Sequence, residues 1–250
     1  MHFRKSLLFT LIIAMLFTFM PAFDASAATV RKDTQTDVPE KITATTGKLV
    51  AGVAETYTLA AKKRKAKITW TSSDSKVAMI SGRTVTILST GVATLTARYG
   101  KKKKIVKVIA ADFTDMEDQQ RLIISYALQF VGNPYVYGKS SLTRGTDCSG
   151  FTMSVFKQFG YSLPHNAAAQ MQSSNKIAKD QLDAGDLIFY GSGSSCGHVA
   201  LYIGNGMVVH ASNPSVGITV SRYDYRAAIG YGRVLQTNLE IIGGEVAPED

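Results

Sequence analysis

The spacing of apolar residues changes character several times along the chain. Leu7 to Met20 is a predominantly apolar run of fourteen residues, broken only by Thr10 and Thr18, and is shorter than the roughly 20 needed to span a bilayer. From Ile42 to Ala110 apolar and polar positions alternate in short runs rich in β-branched residues. Examples are Thr56-Tyr57-Thr58-Leu59, Val85-Thr86-Ile87-Leu88 and Ala93-Thr94-Leu95-Thr96-Ala97. Turn residues recur about every ten positions, so the segment predicts a small all-β sandwich.

The period then becomes helical. Thr114-Asp115-Met116-Glu117 has the form of a capping box, and Ile123, Ile124, Ala127, Leu128 and Val131 follow on one helical face. Gly132 ends this helix and Pro134 prevents its resumption. A second helix is predicted from Cys148 to Phe159, closed by Gly160. After Gly185 strands are predicted over Leu187–Tyr190, Val199–Ile203, Met207–Ala211 and Tyr231–Leu235. Helices first and an antiparallel sheet afterwards make this part α+β.

The flanks of the first apolar run give it a meaning. Arg4 and Lys5 precede it and Ala25-Ser26-Ala27 follows, the layout of a secretory signal peptide cut before Ala28. No further apolar span follows, so the expected product is exported and associated with the cell wall, with no transmembrane segment after processing. The domain plan is a signal peptide at 1–27, a linker at 28–40, the β-sandwich at 41–111, an α+β domain at 112–238 and an acidic tail at 239–250.

Charge separates these parts. The whole chain carries +9, but residues 41–110 hold 15 Lys/Arg against 2 Asp/Glu, whereas residues 111–238 hold 9 of each. The basic residues concentrate in Lys62-Lys63-Arg64-Lys65 and Lys101-Lys102-Lys103-Lys104. That excess exceeds what solubility requires. For an exported protein the expected partners are anionic wall polymers rather than nucleic acid. A monomer without cofactor or metal is expected: the two cysteines, Cys148 and Cys196, are too few for a cysteine-rich zinc site. They could form one disulfide, which would silence either thiol.

Candidate chemistry centres on Cys148, at the start of a predicted helix, where free N–H groups and the helix dipole favour a thiolate. His198 and His210 flank Gly204-Asn205-Gly206. A two-residue turn there would put the histidines on opposite faces of the hairpin. A three-residue loop sets His210 opposite Ala200 and His198 opposite Ser212, diagonal neighbours on one face. The same register gathers Val199, Leu201, Ile203, Met207, Val209 and Ala211 on the other face, and that apolar set selects it. A cysteine nucleophile, His198 as base and His210 orienting His198 are the elements of cysteine acyl transfer.

These residues lie in blocks that resemble the NlpC/P60 family of peptidoglycan peptidases. Gly145-Thr146-Asp147-Cys148-Ser149-Gly150-Phe151 is similar to the family's nucleophile motif. Asn133-Pro134-Tyr135-Val136-Tyr137-Gly138, Leu163-Pro164-His165 through Gln170, Gly185-Asp186-Leu187, Gly197-His198-Val199 and Val209-His210-Ala211 resemble its other blocks. The resemblance implies a papain-like domain with Cys148, His198 and His210 as catalytic set. It also implies Tyr135, Asp147 and Ser149 at the substrate, which would be a peptidoglycan stem peptide. The bond implied joins D-γ-glutamyl to a diamino acid. Four departures stand out: the Tyr135–Cys148 loop is one residue longer than usual, Lys139 replaces a glycine, His165, expected at the surface, replaces an arginine, and Cys196 sits two residues before His198. The first segment, with Trp70-Thr71-Ser72-Ser73-Asp74 and Gly91-Val92-Ala93-Thr94, resembles bacterial immunoglobulin-like domains, which makes Trp70 a core residue. An N-acetylmuramoyl-L-alanine amidase of related fold and a non-enzymatic wall-binding protein are the alternative readings.

Overall fold

The computed structural model describes residues 40–43, 47–60 and 68–235. The segment read as a signal peptide, nearly all of the expected linker, the Lys62–Lys65 cluster and the acidic tail fall outside the described residues. The chain divides into two compact units, Met1–Gln129 and Phe130–Asp250.

Among the described residues the first unit has eight strands. They are β1 (Glu40–Thr43), β2 (Lys48–Gly52), β3 (Thr56–Ala60), β4 (Thr69–Ser72), β5 (Ala78–Ser81), β6 (Thr84–Ile87), β7 (Gly91–Tyr99) and β8 (Lys102–Ala111). Two four-stranded sheets result, ordered β1-β3-β6-β5 and β2-β8-β7-β4. The alternation seen in the sequence becomes burial. In β7, Ala93, Leu95 and Ala97 are buried while Thr94 and Thr96 are not, as period-two side-chain placement requires. Leu59, Val85, Ile87, Leu95, Val106 and Val108 belong to one core cluster, and the partly buried Trp70 packs against it. Lys101 lies in the β7–β8 turn and Lys102 to Lys104 open β8, all exposed. Lys103 stands directly opposite Arg98.

The helix that follows, α1 (Asp118–Leu128), falls in the first unit and starts later than the sequence predicts. Asp112 Oδ1 accepts from both the amide and the hydroxyl of Thr114, at 3.1 and 2.6 Å, which uses that threonine in a turn. Glu117 is the N-cap instead, and its amide donates to Gln120 Oε1 at 2.8 Å. The predicted face is right, since Ile123, Ile124, Ala127 and Leu128 are all buried.

The second unit contains the short pair β9 (Ser140–Ser141) and β10 (Gly145–Thr146), then α2 (Cys148–Lys157) and α3 (Ala167–Ser173). Next come β11 (Asn175–Ile177), β12 (Leu187–Ser192), β13 (Ser195–Tyr202), β14 (Met207–Asn213), β15 (Gly217–Arg222) and β16 (Ala228–Arg233). These form one antiparallel sheet ordered β11-β16-β12-β13-β14-β15. Both α2 and α3 pack against β13. The sequence reading places the last strand at Tyr231–Leu235; it runs Ala228–Arg233. Strands β11 and β15 and helix α3 are not anticipated.

The β13–β14 hairpin has the anticipated register, with Leu201 opposite Val209 and Tyr202 opposite Val208. Gly204, Asn205 and Gly206 take φ of 82°, 50° and 71°, left-handed values that glycine and asparagine adopt most readily. Val199, Leu201, Ile203, Val209 and Ala211 are all fully buried. The histidine face is not bare either: Ile188, Tyr190, Ala200 and Val208 make a second, smaller apolar cluster.

Candidate active site

Asp147 sets the start of α2. Its backbone is extended, and Oδ1 accepts from the Gly150 amide at 2.7 Å, the geometry of an N-cap. The same oxygen accepts from Ser149 Oγ at 3.2 Å and lies 2.9 Å from His165 Nε2. Oδ2 accepts from the Gly138 amide at 2.8 Å. Burial works against ionisation of Asp147, but the Gly150 amide, His165 and the Gly138 amide outweigh it and hold the carboxyl below its ordinary range. His165 is exposed, and its ring is tied to the residue before the nucleophile.

Gly150 is required by close approach. A β-carbon there would lie 2.4 Å from the Lys139 carbonyl oxygen and 2.8 Å from both His165 Nε2 and Thr146 Oγ1. Gln170, fully buried on α3, locks the same region. Its Nε2 donates to the Ser149 and Pro164 carbonyls at 2.9 and 2.8 Å, and its Oε1 accepts from Thr152 Oγ1 at 2.7 Å.

Cys148 is the first residue of α2 and is buried. Burial pushes its thiol up; the amides of Val199, Ser149 and Cys148 itself pull it down without prevailing, and the Asp147 charge adds to the rise. Burial thus opposes the helix N-terminus, whose amides favour the thiolate as the sequence reading expects. The Val199 amide follows His198 directly, so β13 brings the imidazole strand to the sulfur. Tyr135 bridges to Thr146, and its hydroxyl is pushed up by burial and then by Cys148 and Asp147. Tyr135, Asp147, Cys148 and Ser149 thus form one neighbourhood.

His198 and His210 meet as the register argument requires. His198 Nε2 is 2.8 Å from His210 Nδ1, with the rings edge to face. His210 Nε2 is 3.1 Å from Ser221 Oγ, and Tyr225 Oη is 3.3 Å from His210 Nδ1. His198 is pushed down to about 4, first by burial and then by the Arg226 charge. His210 is pushed down to about 3 by burial, by His198 and by Arg226. Both imidazoles are neutral at ordinary pH.

Ser221, Tyr225 and Arg226 were missed. The alternation Ile218-Thr219-Val220-Ser221 carried a strand signal that could have placed Ser221; nothing local marks Tyr225 or Arg226. Tyr190 Oη donates to the Tyr223 carbonyl at 2.8 Å and so anchors the segment bearing both. The two cysteines are unlinked, and Cys196 Sγ lies 3.6 Å from the His198 carbonyl oxygen. Asp186, read as part of a motif, forms a two-pronged ion pair with Arg233, with both contacts at 2.8 Å. Among the described residues no three His, Cys, Asp or Glu side chains are grouped as metal ligands would be. No helix among them is long and apolar enough to cross a membrane.

Residues 132–229 match the family model described as NlpC/P60 family. The matched segment carries Cys148, His198 and His210. The chain is 37% identical over 113 residues to "Probable endopeptidase p60" of Listeria seeligeri, covering 45% of this chain and 20% of that protein. It is 30% identical over 122 residues to "Bifunctional muramidase/DL-endopeptidase CwlT" of Bacillus subtilis, covering 47% of this chain and 37% of that one. A "Gamma-D-glutamyl-L-lysine dipeptidyl-peptidase" of Bacillus subtilis is 38% identical over 101 residues, 39% of this chain and 34% of that one. The chain thus spans well under half the length of these curated relatives. Among solved structures, the NlpC/p60 domain of the peptidoglycan hydrolase SagA is 33% identical, with a TM-score of 0.42, covering 45% of this chain and 97% of that one.

Proposed function

We propose that this protein is an exported peptidoglycan hydrolase that cuts wall stem peptides through a Cys148 thioester. The observation that carries the reading is the 2.8 Å contact between His198 and His210, on a strand whose Val199 amide reaches the Cys148 sulfur. With Nε2 of His198 committed to His210, Nδ1 is the ring nitrogen left to take the thiol proton. Cys148 then attacks the substrate carbonyl, forming the S–C bond. His198 returns the proton to the departing amine, and water hydrolyses the thioester. The Cys148 and Ser149 amides at the helix start are placed to stabilise the oxyanion.

The bond proposed is that between D-γ-glutamyl and the diamino acid. It is supported by the similarity to the DL-endopeptidase and the dipeptidyl-peptidase of Bacillus subtilis. Tyr135, Asp147 and Ser149 line the substrate approach in this reading. The first unit is read as an immunoglobulin-like module that holds anionic wall polymers. Lys103 directly opposite Arg98 supports this, because like charges across a strand pair destabilise the sheet unless a partner compensates. Export rests on the Leu7–Met20 run and Ala25-Ser26-Ala27.

The test is digestion of purified peptidoglycan by the wild type and by Cys148→Ala, with product masses. Cuts within stems, lost in the variant, are expected. Whole stems released from sugar would make it an amidase, and no release at all a wall-binding protein. Neutralising both lysine clusters should sharply reduce salt-sensitive wall binding; unchanged binding would overturn the targeting role.

A further inference from the structure

We propose that Ser221 is a positioning residue that sets the tautomer of His210 and, through it, makes His198 a base. The inference rests on the peptidase reading above for its kinetic consequence, though not for its geometry.

The three polar groups form a line across three strands. His198 lies on β13, His210 on β14 and Ser221 on β15. Val208 pairs with Ser221 and His210 with Thr219, so His210 and Ser221 are diagonal neighbours on one face of the sheet. The contacts along the line are 2.8 Å from His198 Nε2 to His210 Nδ1 and 3.1 Å from His210 Nε2 to Ser221 Oγ. His210 is fully buried, and its ring meets these two atoms and the Tyr225 hydroxyl.

A neutral imidazole carries one N–H, and two arrangements of the line are possible. In the first, Ser221 Oγ accepts from His210 Nε2–H. His210 Nδ1 then accepts from His198 Nε2–H, and His198 Nδ1 is a free lone pair for the thiol proton. In the second, Ser221 donates to His210 Nε2. His210 Nδ1–H then points at His198 Nε2, and His198 must carry its proton on Nδ1, where it cannot act as a base. The second arrangement has a ready alternative acceptor, because the Tyr225 hydroxyl lies 3.3 Å from the same Nδ1. Ser221 is the group that holds His210 in the first. The same orientation is the one that can accept the stronger bond from His198 once it becomes an imidazolium.

Ser221→Ala removes the acceptor for His210 Nε2–H and leaves a buried donor unmatched, which favours the second arrangement. Roughly a tenfold fall in kcat follows, with KM held. Ser221→Thr keeps a hydroxyl and restores the rate. Ser221→Val, the same shape without a hydroxyl, does not.

The experiment pairs kinetics on purified peptidoglycan with 15N NMR of the imidazoles, which a chain with four histidines makes tractable. Expected are Nε2–H tautomers for both His198 and His210 in the wild type and a shift of His210 toward Nδ1–H in the alanine and valine variants. The tautomer and kcat should recover together in the threonine variant. An Nδ1–H tautomer of His210 in the wild type, or wild-type tautomers and kcat in Ser221→Val, would overturn the assignment. Tautomers that follow Ser221 in a protein that cleaves no wall peptide would sustain the assignment and overturn the peptidase reading instead.

Discussion

His165 Nε2 stands 2.9 Å from Asp147 Oδ1, on the carboxylate that caps the helix bearing Cys148. The contact places an imidazole from outside the reacting set against the residue that aims it. Asp147→Ala should therefore misplace Cys148 as well as uncap α2. A loss of about 1–2 kcal/mol in urea denaturation is expected from the cap, with a larger fractional loss of kcat. His165→Ala should retain most of the stability, because the Gly150 and Gly138 amides still hold the carboxylate. A kcat unaffected in Asp147→Ala would mean that the cap does not position the thiol.

The acid limb of kcat/KM should lie near pH 4, well below the ordinary imidazole value, because His198 stays neutral until about 4. Stability has a matching dependence. Both folded-state values lie below the unfolded 6.5, at about 4 and about 3. Between pH 6.5 and 4 the unfolded chain therefore binds more protons, and stability rises with pH across that window and is lost as pH falls through it. Urea midpoints measured from pH 7 to 4 check this; a flat profile would contradict it. Arg226→Ala should move the acid limb upward, since removing a nearby positive charge favours the imidazolium.

Alkylation of Cys148 by iodoacetamide, followed in a Cys196→Ser background, should be slow at neutral pH. Its rate should inflect above the ordinary thiol value, because burial raises the Cys148 thiol. A plateau of fast alkylation extending to mildly acidic pH would instead reveal a preformed thiolate–imidazolium pair.

Gly150→Ala should cost roughly 1–3 kcal/mol by overpacking, since the β-carbon meets a carbonyl oxygen that is itself bonded to the Asp147 amide. Loss of activity should exceed the loss of folded protein, because the displaced groups are the ones that fix the nucleophile. Thermal melts and kcat measured together test it.

Much of this site could be read along the chain because its parts are set by local rules. The Asp147-Cys148 start of α2 follows from an N-cap. The meeting of His198 and His210 follows from a three-residue loop and an apolar face that tolerates one register. Other parts depend on contacts between distant segments. The start of α1 moved because Asp112 competes for Thr114, a choice between two turns of similar local merit. The upward push on the Cys148 thiol arises from burial, which no motif encodes. Ser221 lay in a run with the right alternation, but its importance appears only when β15 is set beside β14.

The Gly204-Asn205-Gly206 loop has a consequence for how the sequence can drift. Insertions in surface loops are ordinarily cheap, and this loop touches no reacting atom. Yet one residue added or lost there would turn every β14 side chain over, carrying His210 into the apolar layer and Val209 toward His198. An insertion of two would restore the face but slide His210 along β14 away from its diagonal partner on β13. The count of residues between the two histidines is thus as restricted as the histidines themselves, so in this hairpin a deletion scan would expose the active site more sharply than substitution of any loop residue.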